Sequence, residues 1–219
     1  MKKIFLGLSV IGLVAINIAA IAADSKLTVM ITPELGSVDV LDGGKKVRIQ
    51  RNQNPQNRIK GDLTLTSRQC PPHCVQPIKI RGIETVGELE VLEYLKREGM
   101  GDDSVLVVDT RAERFAAQGT IPGSVNIFGD ELIAERGANP IGIEEILTGQ
   151  FGVGGQDGNW DFTKAKTLVL YCYGVWCGQA PRTIASLVKL GYPKRKLKWY
   201  RGGMQSWESL GLTTKRSAH

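Results

Sequence analysis

The chain has 219 residues, of which 42% are hydrophobic and 23% are charged. This composition is ordinary for a packed globular protein and excludes an intrinsically disordered body. The length suits one domain of usual size with a smaller appendage. The formal net charge is +6, but the basic residues are dispersed, so we expect a solvated surface that can attract small anions and no nucleic-acid site.

The first 23 residues have the pattern of a secretory signal peptide. Lys2 and Lys3 supply a positive start, residues 4–21 are almost wholly apolar, and Ala20-Ile21-Ala22 offers small residues for cleavage. An uncleaved anchor is the alternative, because the apolar run approaches the ~20 residues that span a bilayer. We therefore expect an exported, periplasmic protein with no stable membrane span after cleavage.

Residues 24–82 are predicted to form a small β-rich appendage. Its strand-like segments are residues 27–32, 37–41, 45–50 and 63–66. The second and third of these flank Asp42-Gly43-Gly44, which predicts a β-hairpin. The appendage ends after a short loop that contains Cys70 and Cys74.

Residues 83–213 change to alternating helices and strands, followed by a tail at 214–219. Strands are predicted at residues 104–109, 124–127, 167–171 and 196–200, and helices at residues 85–97, 112–117, 181–190 and 203–210. Residues 131–148 are expected to be partly helical, and 149–158 to be a surface loop. Strands that alternate with helices indicate an α/β fold with a central parallel sheet covered on both faces.

Cys172 follows one of these buried strands directly and precedes a helix. Ligands bind beyond the carboxyl ends of the strands in such a sheet. We expect Pro181 to open the helix, with Gln179 or Ala180 as its cap. The free amides at the start of that helix would lower a thiol pKa and stabilise a thiolate or persulfide. The alternative is a buried or disulfide-bonded cysteine without turnover.

Three separated motifs point to a family. Residues 107–111 with 119–126, residues 168–172, and residues 201–207 resemble, in the same order, the signatures of rhodanese-like domains. The resemblance covers about residues 83–212. It implies the α/β fold with a central parallel sheet and identifies Cys172 as the cysteine that accepts a sulfane sulfur and passes it to a thiophilic acceptor. It implies no metal and no organic cofactor.

The resemblance also assigns the loop around Cys172 to substrate binding. Its candidate residues are Tyr173, Gly174, Val175, Trp176, Gly178, Gln179 and Arg182. The loop is longer than is usual in the family. The related phosphatases need an arginine six residues after the reactive cysteine. That position, 178, is glycine here, and Arg182 is too far along the helix to replace the arginine.

Five further residues in the matching motifs are expected to be structural. Asp109 and Arg111 should form an ion pair or cap that fixes the neighbouring loop. Gly202 and Gly203 should let the backbone turn closely beside the cysteine loop. Trp207 is expected in the core.

A second cysteine in the same loop, Cys177, allows a different mechanism. A disulfide with Cys172 is geometrically allowed if their Cα atoms come within about 7 Å. Cys177 could then resolve or modulate the reactive thiol, or the pair could exchange disulfides with a redox partner protein. A purely structural bond is the third alternative.

The segment from Cys70 to Cys74 has three interpretations. It can form a local disulfide, it can ligate a metal with His73 although no fourth ligand is apparent, or it can approach Cys172 and supply a redox partner. We favour the local disulfide and predict no metal site.

Three functions therefore remain open. The first is sulfur transfer from a small sulfur-containing anion to a thiol acceptor through a persulfide on Cys172. The second is thiol–disulfide exchange by Cys172 and Cys177, and the third is a non-catalytic rhodanese-fold binding module.

Overall fold

The structure is a computed structural model that describes residues 27–216. The predicted signal peptide lies outside the described residues. In this part of the chain, no helix is long and apolar enough to cross a membrane.

Nine strands and five α-helices follow one another within residues 27–216, joined by turns, short 3-10 segments and one π-helical segment, Ile146–Gln150. In chain order they are β1 (Ser37–Asp42), β2 (Lys45–Gln50), β3 (Glu84–Val86), α1 (Glu88–Gly99), β4 (Val105–Asp109), α2 (Glu113–Ala116), β5 (Val125–Asn126), α3 (Pro140–Glu145), β6 (Gly154–Gln156), β7 (Asn159–Asp161), β8 (Thr167–Tyr171), α4 (Gln179–Lys189), β9 (Leu197–Tyr200) and α5 (Gly203–Ser209).

Five strands form the central sheet, in the order β3-β9-β8-β4-β5. Every neighbouring pair is parallel. All five residues of β4 are buried, as are the last four of β8, because helices cover both faces of the sheet. The predicted α/β fold with a central parallel sheet is confirmed.

The two faces of the sheet belong to two hydrophobic clusters. Leu168 and Leu170 of β8 face the cluster that contains Ile184 of α4. The alternate residues of the same strand, Val169 and Tyr171, face the cluster that contains Trp207 of α5. Trp207 is fully buried, so its predicted place in the core is confirmed.

The N-terminal appendage contains the predicted hairpin. Ser37 pairs with Gln50 and Asp42 with Lys45, which confirms the turn at Asp42-Gly43-Gly44. Val38 and Val40 of β1 belong to the same cluster as α1. The hairpin therefore packs on the outside of α1 and extends the core of the sheet domain.

Two other strands predicted in the appendage are wrong. Residues 27–32 form bends, because the backbone amides of Thr28 and Val29 donate to the side chain of Gln53 and not to a neighbouring strand. The segment predicted at 63–66 begins instead as a 3-10 turn, Gly61–Thr64, closed by the hydroxyl of Thr64.

Three predictions in the sheet domain are also corrected. The segment predicted as one helix at 85–97 begins with the short edge strand β3, and the loop predicted at 149–158 contains part of the β6–β7 hairpin. Helix α4 starts at Gln179 with Gly178 as its cap, and not at Pro181. Pro181 fits inside the first turn because the amides there have no partner within the helix.

Candidate functional site

Cys172 lies at the carboxyl edge of the sheet, immediately after β8. It is 3% exposed and is bonded to Cys177, with 6.4 Å between the two Cα atoms. Cys70 and Cys74 form the second disulfide, so no cysteine is free in the described range. Of the three connectivities open to four cysteines, the structure has the two local pairs.

The start of helix α5 holds the cysteine loop in place. The amide of Met204 donates to the carbonyl oxygen of Cys172 at 3.0 Å, and that of Gln205 donates to Tyr173 at 2.7 Å. Gly203 has a φ of +54°, and a Cβ on it would lie 2.8 Å from the amide nitrogen of Gly174. The close turn predicted beside the cysteine loop is present, and it requires glycine at position 203.

Several backbone amides near Cys172 have no carbonyl partner. Within residues 27–216, the amides of residues 173–176 donate to no backbone carbonyl. Helix α4 begins just beyond them, and its cap, Gly178, provides no side-chain acceptor. Free amides at the start of a helix, together with the helix dipole, favour an anion.

A cavity of about 360 Å³ opens beside the two bonded cysteines. Its walls combine aromatic rings, cationic side chains and the backbone of the cysteine loop. The lining residues are Asp62, Arg68, Pro72, His73, Arg111, Ala112, Arg114, Phe115, Phe128, Cys172, Tyr173, Trp176, Cys177, Gly178, Gln179 and Arg182. Gly174 and Val175, which the sequence also assigns to substrate binding, are not in this wall.

Asp109 and Arg111 form the predicted ion pair at the base of the site. The Arg111 Nη2–Asp109 Oδ2 distance is 2.6 Å, and the side chains are 4% and 0% exposed. Arg111 also donates to the carbonyl oxygen of Gly119, and its guanidinium lies 5.2 Å from the Tyr173 ring centre. Burial works against the charge of Arg111, but the hydrogen bonds and charge of Asp109 outweigh it and raise its pKa.

Thr120 completes this buried network. Its hydroxyl donates to Asp109 at 2.8 Å and lies 2.8 Å from the hydroxyl of Tyr171. Burial, followed by the charge of Asp109, raises the pKa of Tyr171, so the phenol stays protonated. Thr120 therefore anchors the turn before β5 and is not part of the cavity.

The rim of the cavity includes Gln179 and Arg182 of helix α4. Gln179 donates to Asp130 at 2.9 Å and accepts from Arg182 at 3.0 Å. Arg182 itself is exposed, and partial burial, followed by the nearby charge of Arg136, lowers its pKa. It borders the cavity as a cation that an incoming anion can meet.

Residues of the N-terminal appendage cover the cavity, and the sequence predicted this contact only in part. Arg68 lies 4.1 Å from the centre of the Trp176 ring, and the His73 ring meets the same indole edge-on at 5.3 Å. The amide of Gln76 donates to the carbonyl of Val175 at 2.8 Å. No sequence pattern predicts a role for Arg68. The approach of the Cys70 loop to the Cys172 region, in contrast, was one of the three interpretations of that loop.

The Cys70–Cys74 segment forms the local disulfide that the sequence favours, with 4.7 Å between the Cα atoms. Across residues 27–216, no group of three or more His, Cys, Asp or Glu side chains is arranged to hold a metal ion. His73 packs on Trp176 and takes no part in such a group.

A sequence model of the rhodanese-like domain family matches residues 92–210. The chain belongs to the rhodanese-like domain family. The match places the whole of the cysteine loop and the Arg111 pair inside the rhodanese-like domain. No curated protein matches the chain by sequence.

The rhodanese-like chain is similar at low identity to several solved structures. A Bacillus halodurans protein is 19% identical, with a TM-score of 0.41, covering 62% of this chain and 78% of that one. A thiosulfate sulfurtransferase from Pseudomonas aeruginosa is 17% identical, with a TM-score of 0.39, covering 63% and 21%. A human single-domain sulfurtransferase is 21% identical, with a TM-score of 0.35, covering 57% and 95%.

Proposed function

We propose that the protein is a periplasmic sulfurtransferase that carries sulfane sulfur as a persulfide on Cys172. The observation that carries this proposal is the position of Cys172. Cys172 lies at the carboxyl edge of a parallel sheet, close to loop amides that have no carbonyl partner and to the start of helix α4. It also borders a cavity that is lined by cationic side chains. Membership of the rhodanese-like family supports the same chemistry.

The first step is the opening of the Cys172–Cys177 bond. A dithiol, from a periplasmic redox partner or from dithiothreitol, attacks one sulfur, and the two cysteines leave as thiols while the dithiol becomes a disulfide. The thiolate of Cys172 then needs no histidine base, because its charge is stabilised by the loop amides and the start of α4.

Sulfur transfer follows in two displacements. The Cys172 thiolate attacks the sulfane sulfur of a small anion, a new S–S bond forms, and the remainder of the donor leaves with the electron pair of the broken bond. An acceptor thiolate then attacks the outer sulfur of the persulfide, takes it as R–S–S⁻ and restores the Cys172 thiolate.

Cys177 gives the persulfide a second outcome. If the Cys177 thiol gives up its proton and attacks the inner sulfur of the Cys172 persulfide anion, the Cys172–Cys177 bond forms again, the bond between the inner and outer sulfurs breaks, and the outer sulfur takes the proton and leaves as HS⁻. The 6.4 Å between the Cα atoms supports this reaction. Cys177 would then return the enzyme to its resting disulfide when no acceptor is present.

The test uses the protein purified with and without dithiothreitol, exchanged into thiosulfate, and measured by intact mass and peptide mapping. Reduced wild-type protein should gain 32 Da on Cys172 transiently, until Cys177 displaces the outer sulfur as HS⁻, and cyanide added before then should remove that mass as thiocyanate. Cys177→Ser should gain it without any reductant, while Cys172→Ser should gain nothing. Absence of the mass on Cys172 with every sulfane donor would refute the proposal.

Thiol–disulfide exchange is the second candidate, and the bond between Cys172 and Cys177 favours it. This function requires a bond whose reduction potential lies in the range of known thiol–disulfide oxidoreductases, from about −120 to about −270 mV. Titration of the Cys172–Cys177 bond against glutathione separates the candidates. A bond that dithiothreitol does not open in the native protein would exclude both functions and leave the binding module.

Export and domain organisation belong to the same proposal. Signal removal after about residue 23 would give a mature appendage of residues 24–82 followed by the rhodanese-like domain at 83–213. Intact mass of protein recovered from the periplasmic fraction measures the first residue directly. Protein that stays in the membrane fraction at full length would contradict cleavage.

A further inference from the structure

The two segments that carry the disulfides contact each other through Gln76. Its backbone amide donates to the carbonyl oxygen of Val175 at 2.8 Å. Its side-chain Nε2 donates to the carbonyl oxygen of Cys74 at 2.8 Å, and a Cβ on Gly178 would lie 3.6 Å from that same nitrogen. Because Gly178 follows Cys177 directly in the chain, one side chain lies against Cys74 and against the residue next to Cys177.

Both disulfide segments also border the same cavity. Pro72 and His73 lie inside the loop that the Cys70–Cys74 bond closes, and they form part of the cavity wall together with Cys172 and Cys177. The first disulfide therefore closes a loop over the space into which the second disulfide opens.

The four cysteines differ in their exposure to solvent. Cys70 is exposed, Cys74 and Cys177 are half-buried, and Cys172 is 3% exposed. The rate of disulfide exchange depends on access to the sulfur that is attacked. A small dithiol can enter the cavity, but a partner protein meets the exposed sulfur of Cys70 first, because the appendage covers the cavity.

Two buried polar atoms beside the Cys70–Cys74 bond have no hydrogen-bond partner within residues 27–216. They are Nε of Arg68 and Nδ1 of His73. Buried polar atoms are ordinarily hydrogen-bonded, so these two are available to a group that forms when the bond opens. A thiolate is such a group, and a neighbouring arginine favours it over the thiol.

We propose that Cys70 and Cys74 form a second redox site, which passes electrons from a partner protein with a dithiol to the Cys172–Cys177 bond. The inference rests on the proposed function, in which that bond must open before Cys172 accepts sulfur. It specifies the class of the partner and the cysteine that the partner attacks.

The first exchange reduces the outer pair. A thiolate of the partner attacks the sulfur of Cys70, the Cys70–Cys74 bond breaks, and Cys74 leaves as a thiolate. The second thiol of the partner gives up its proton and attacks the partner sulfur that is bonded to Cys70. Cys70 leaves and takes that proton, and the partner becomes a disulfide.

The second exchange reduces the inner pair. The Cys74 thiolate attacks the sulfur of Cys177, and Cys172 leaves as a thiolate. Cys172 is the favoured leaving group, because the loop amides and the start of α4 stabilise its negative charge. The Cys70 thiol then gives up its proton and attacks the sulfur of Cys74. The Cys70–Cys74 bond forms again, and Cys177 leaves and takes the proton.

The first test identifies the cysteine that the partner attacks. The oxidised wild-type protein is incubated with a reduced thioredoxin in which the second active-site cysteine is serine, so the mixed disulfide cannot be resolved. Peptide mapping without reductant should find thioredoxin bonded to Cys70. Thioredoxin bonded to Cys172 or Cys177, or no adduct, would overturn the proposal.

The second test traps the contact between the two pairs. The Cys70→Ser/Cys172→Ser variant retains Cys74 and Cys177, and oxidised glutathione should join these two cysteines by a disulfide. The matched control, Cys74→Ser/Cys172→Ser, retains Cys70 and Cys177 and should form its bond at least tenfold more slowly. Equal rates for the two variants would overturn the exchange from Cys74 to Cys177.

The third test measures the electron transfer. The opening of the Cys172–Cys177 bond by wild-type thioredoxin and by dithiothreitol is followed by alkylation and mass spectrometry. Cys70→Ser/Cys74→Ser should lower the ratio of the thioredoxin rate to the dithiothreitol rate at least tenfold. Leu65→Ala, an exposed position in the same appendage, is the control and should change the ratio less than twofold. An unchanged or higher ratio in the double variant is the result for a purely structural disulfide and would overturn the relay.

The outcomes separate the relay from sulfur transfer. If dithiothreitol opens the Cys172–Cys177 bond and thiosulfate then adds 32 Da to Cys172, sulfur transfer stands whatever the ratio in the double variant. If the opened protein accepts no sulfur, the proposed function fails, and the capture by thioredoxin and the ratio of rates still decide the relay. A Cys172–Cys177 bond that neither dithiol opens would overturn both.

Discussion

Gln205 connects the cysteine loop to the N-terminal appendage with the two ends of one side chain. Its Oε1 accepts from the indole N–H of Trp176 at 2.9 Å, and its Nε2 donates to the carbonyl of Leu63 at 3.0 Å. Because Trp176 also carries Arg68 on its ring, the appendage is a part of the site and not a separate module.

Gln205→Ala should loosen this connection. It leaves the Trp176 N–H and the Leu63 carbonyl without their partner, so we expect a loss of about 1–3 kcal/mol in the free energy of unfolding. Hydrogen exchange should increase in residues 62–77 and in the cysteine loop. Gln156→Ala, on an exposed hairpin, is the control and should change neither; unchanged exchange in the Gln205 variant would show that the bridge does not hold the appendage.

Asp109→Ala should cost much more than the loss of a surface pair. It leaves the guanidinium of Arg111 buried without its carboxylate, and breaking a buried pair costs roughly 3–5 kcal/mol. Asp39→Ala removes the solvent-accessible pairs with Lys46 and Arg48 and should cost less than about 1 kcal/mol. Urea unfolding measures both, and equal losses would contradict the structural role of Asp109.

Gly203→Ala should disrupt the cysteine loop. The φ of +54° disfavours any side chain, and the new Cβ would lie 2.8 Å from the amide nitrogen of Gly174. We expect a loss of at least about 1–3 kcal/mol and slower persulfide formation on Cys172. Gly142→Ala is the matched control in α3, where nothing lies within 4 Å of the new Cβ, and it should stabilise the protein by about 0.5–1 kcal/mol.

The Gly203 prediction also has a clear contrary result. If Gly203→Ala unfolds at the same denaturant concentration as the wild type and accepts sulfur at the same rate, then the close approach of α5 to the loop is not required.

Glu98 should make stability depend on pH near neutrality. Burial raises its pKa to about 7, although the charge of Lys166 and the amide of Val107 act in the opposite direction. Because the folded state binds the proton more tightly than the unfolded state, this contribution is fully present below about pH 4 and is lost as the pH rises through 7. The loss is on the order of 1–3 kcal/mol.

Glu98→Gln tests this dependence, because glutamine stays neutral. The variant should match the wild type near pH 4–5 and be more stable at pH 8, as measured by thermal and urea unfolding. Glu93→Gln, exposed on the same helix, should leave the difference between the two pH values unchanged. Parallel wild-type and Glu98→Gln profiles from pH 5 to 8 would contradict the prediction.

The sequence by itself determined the elements with strong local patterns. Strands β4 and β8 are continuous apolar runs, and the first hairpin has a two-glycine turn, so their positions agree with the prediction within one residue. The position of Cys172 at the end of β8 followed from the same local pattern, and the three ordered motifs identified the family.

Only the tertiary structure decided the rest. Strand β3 has three residues and exists as a strand because β9 offers it an edge, and whether Cys172 is bonded to Cys177 depended on how close the fold brings the two residues. The contact between Arg68 and Trp176 joins residues more than a hundred positions apart. Such contacts form only when the chain closes on itself, so they leave no period or turn in the sequence from which they could be read.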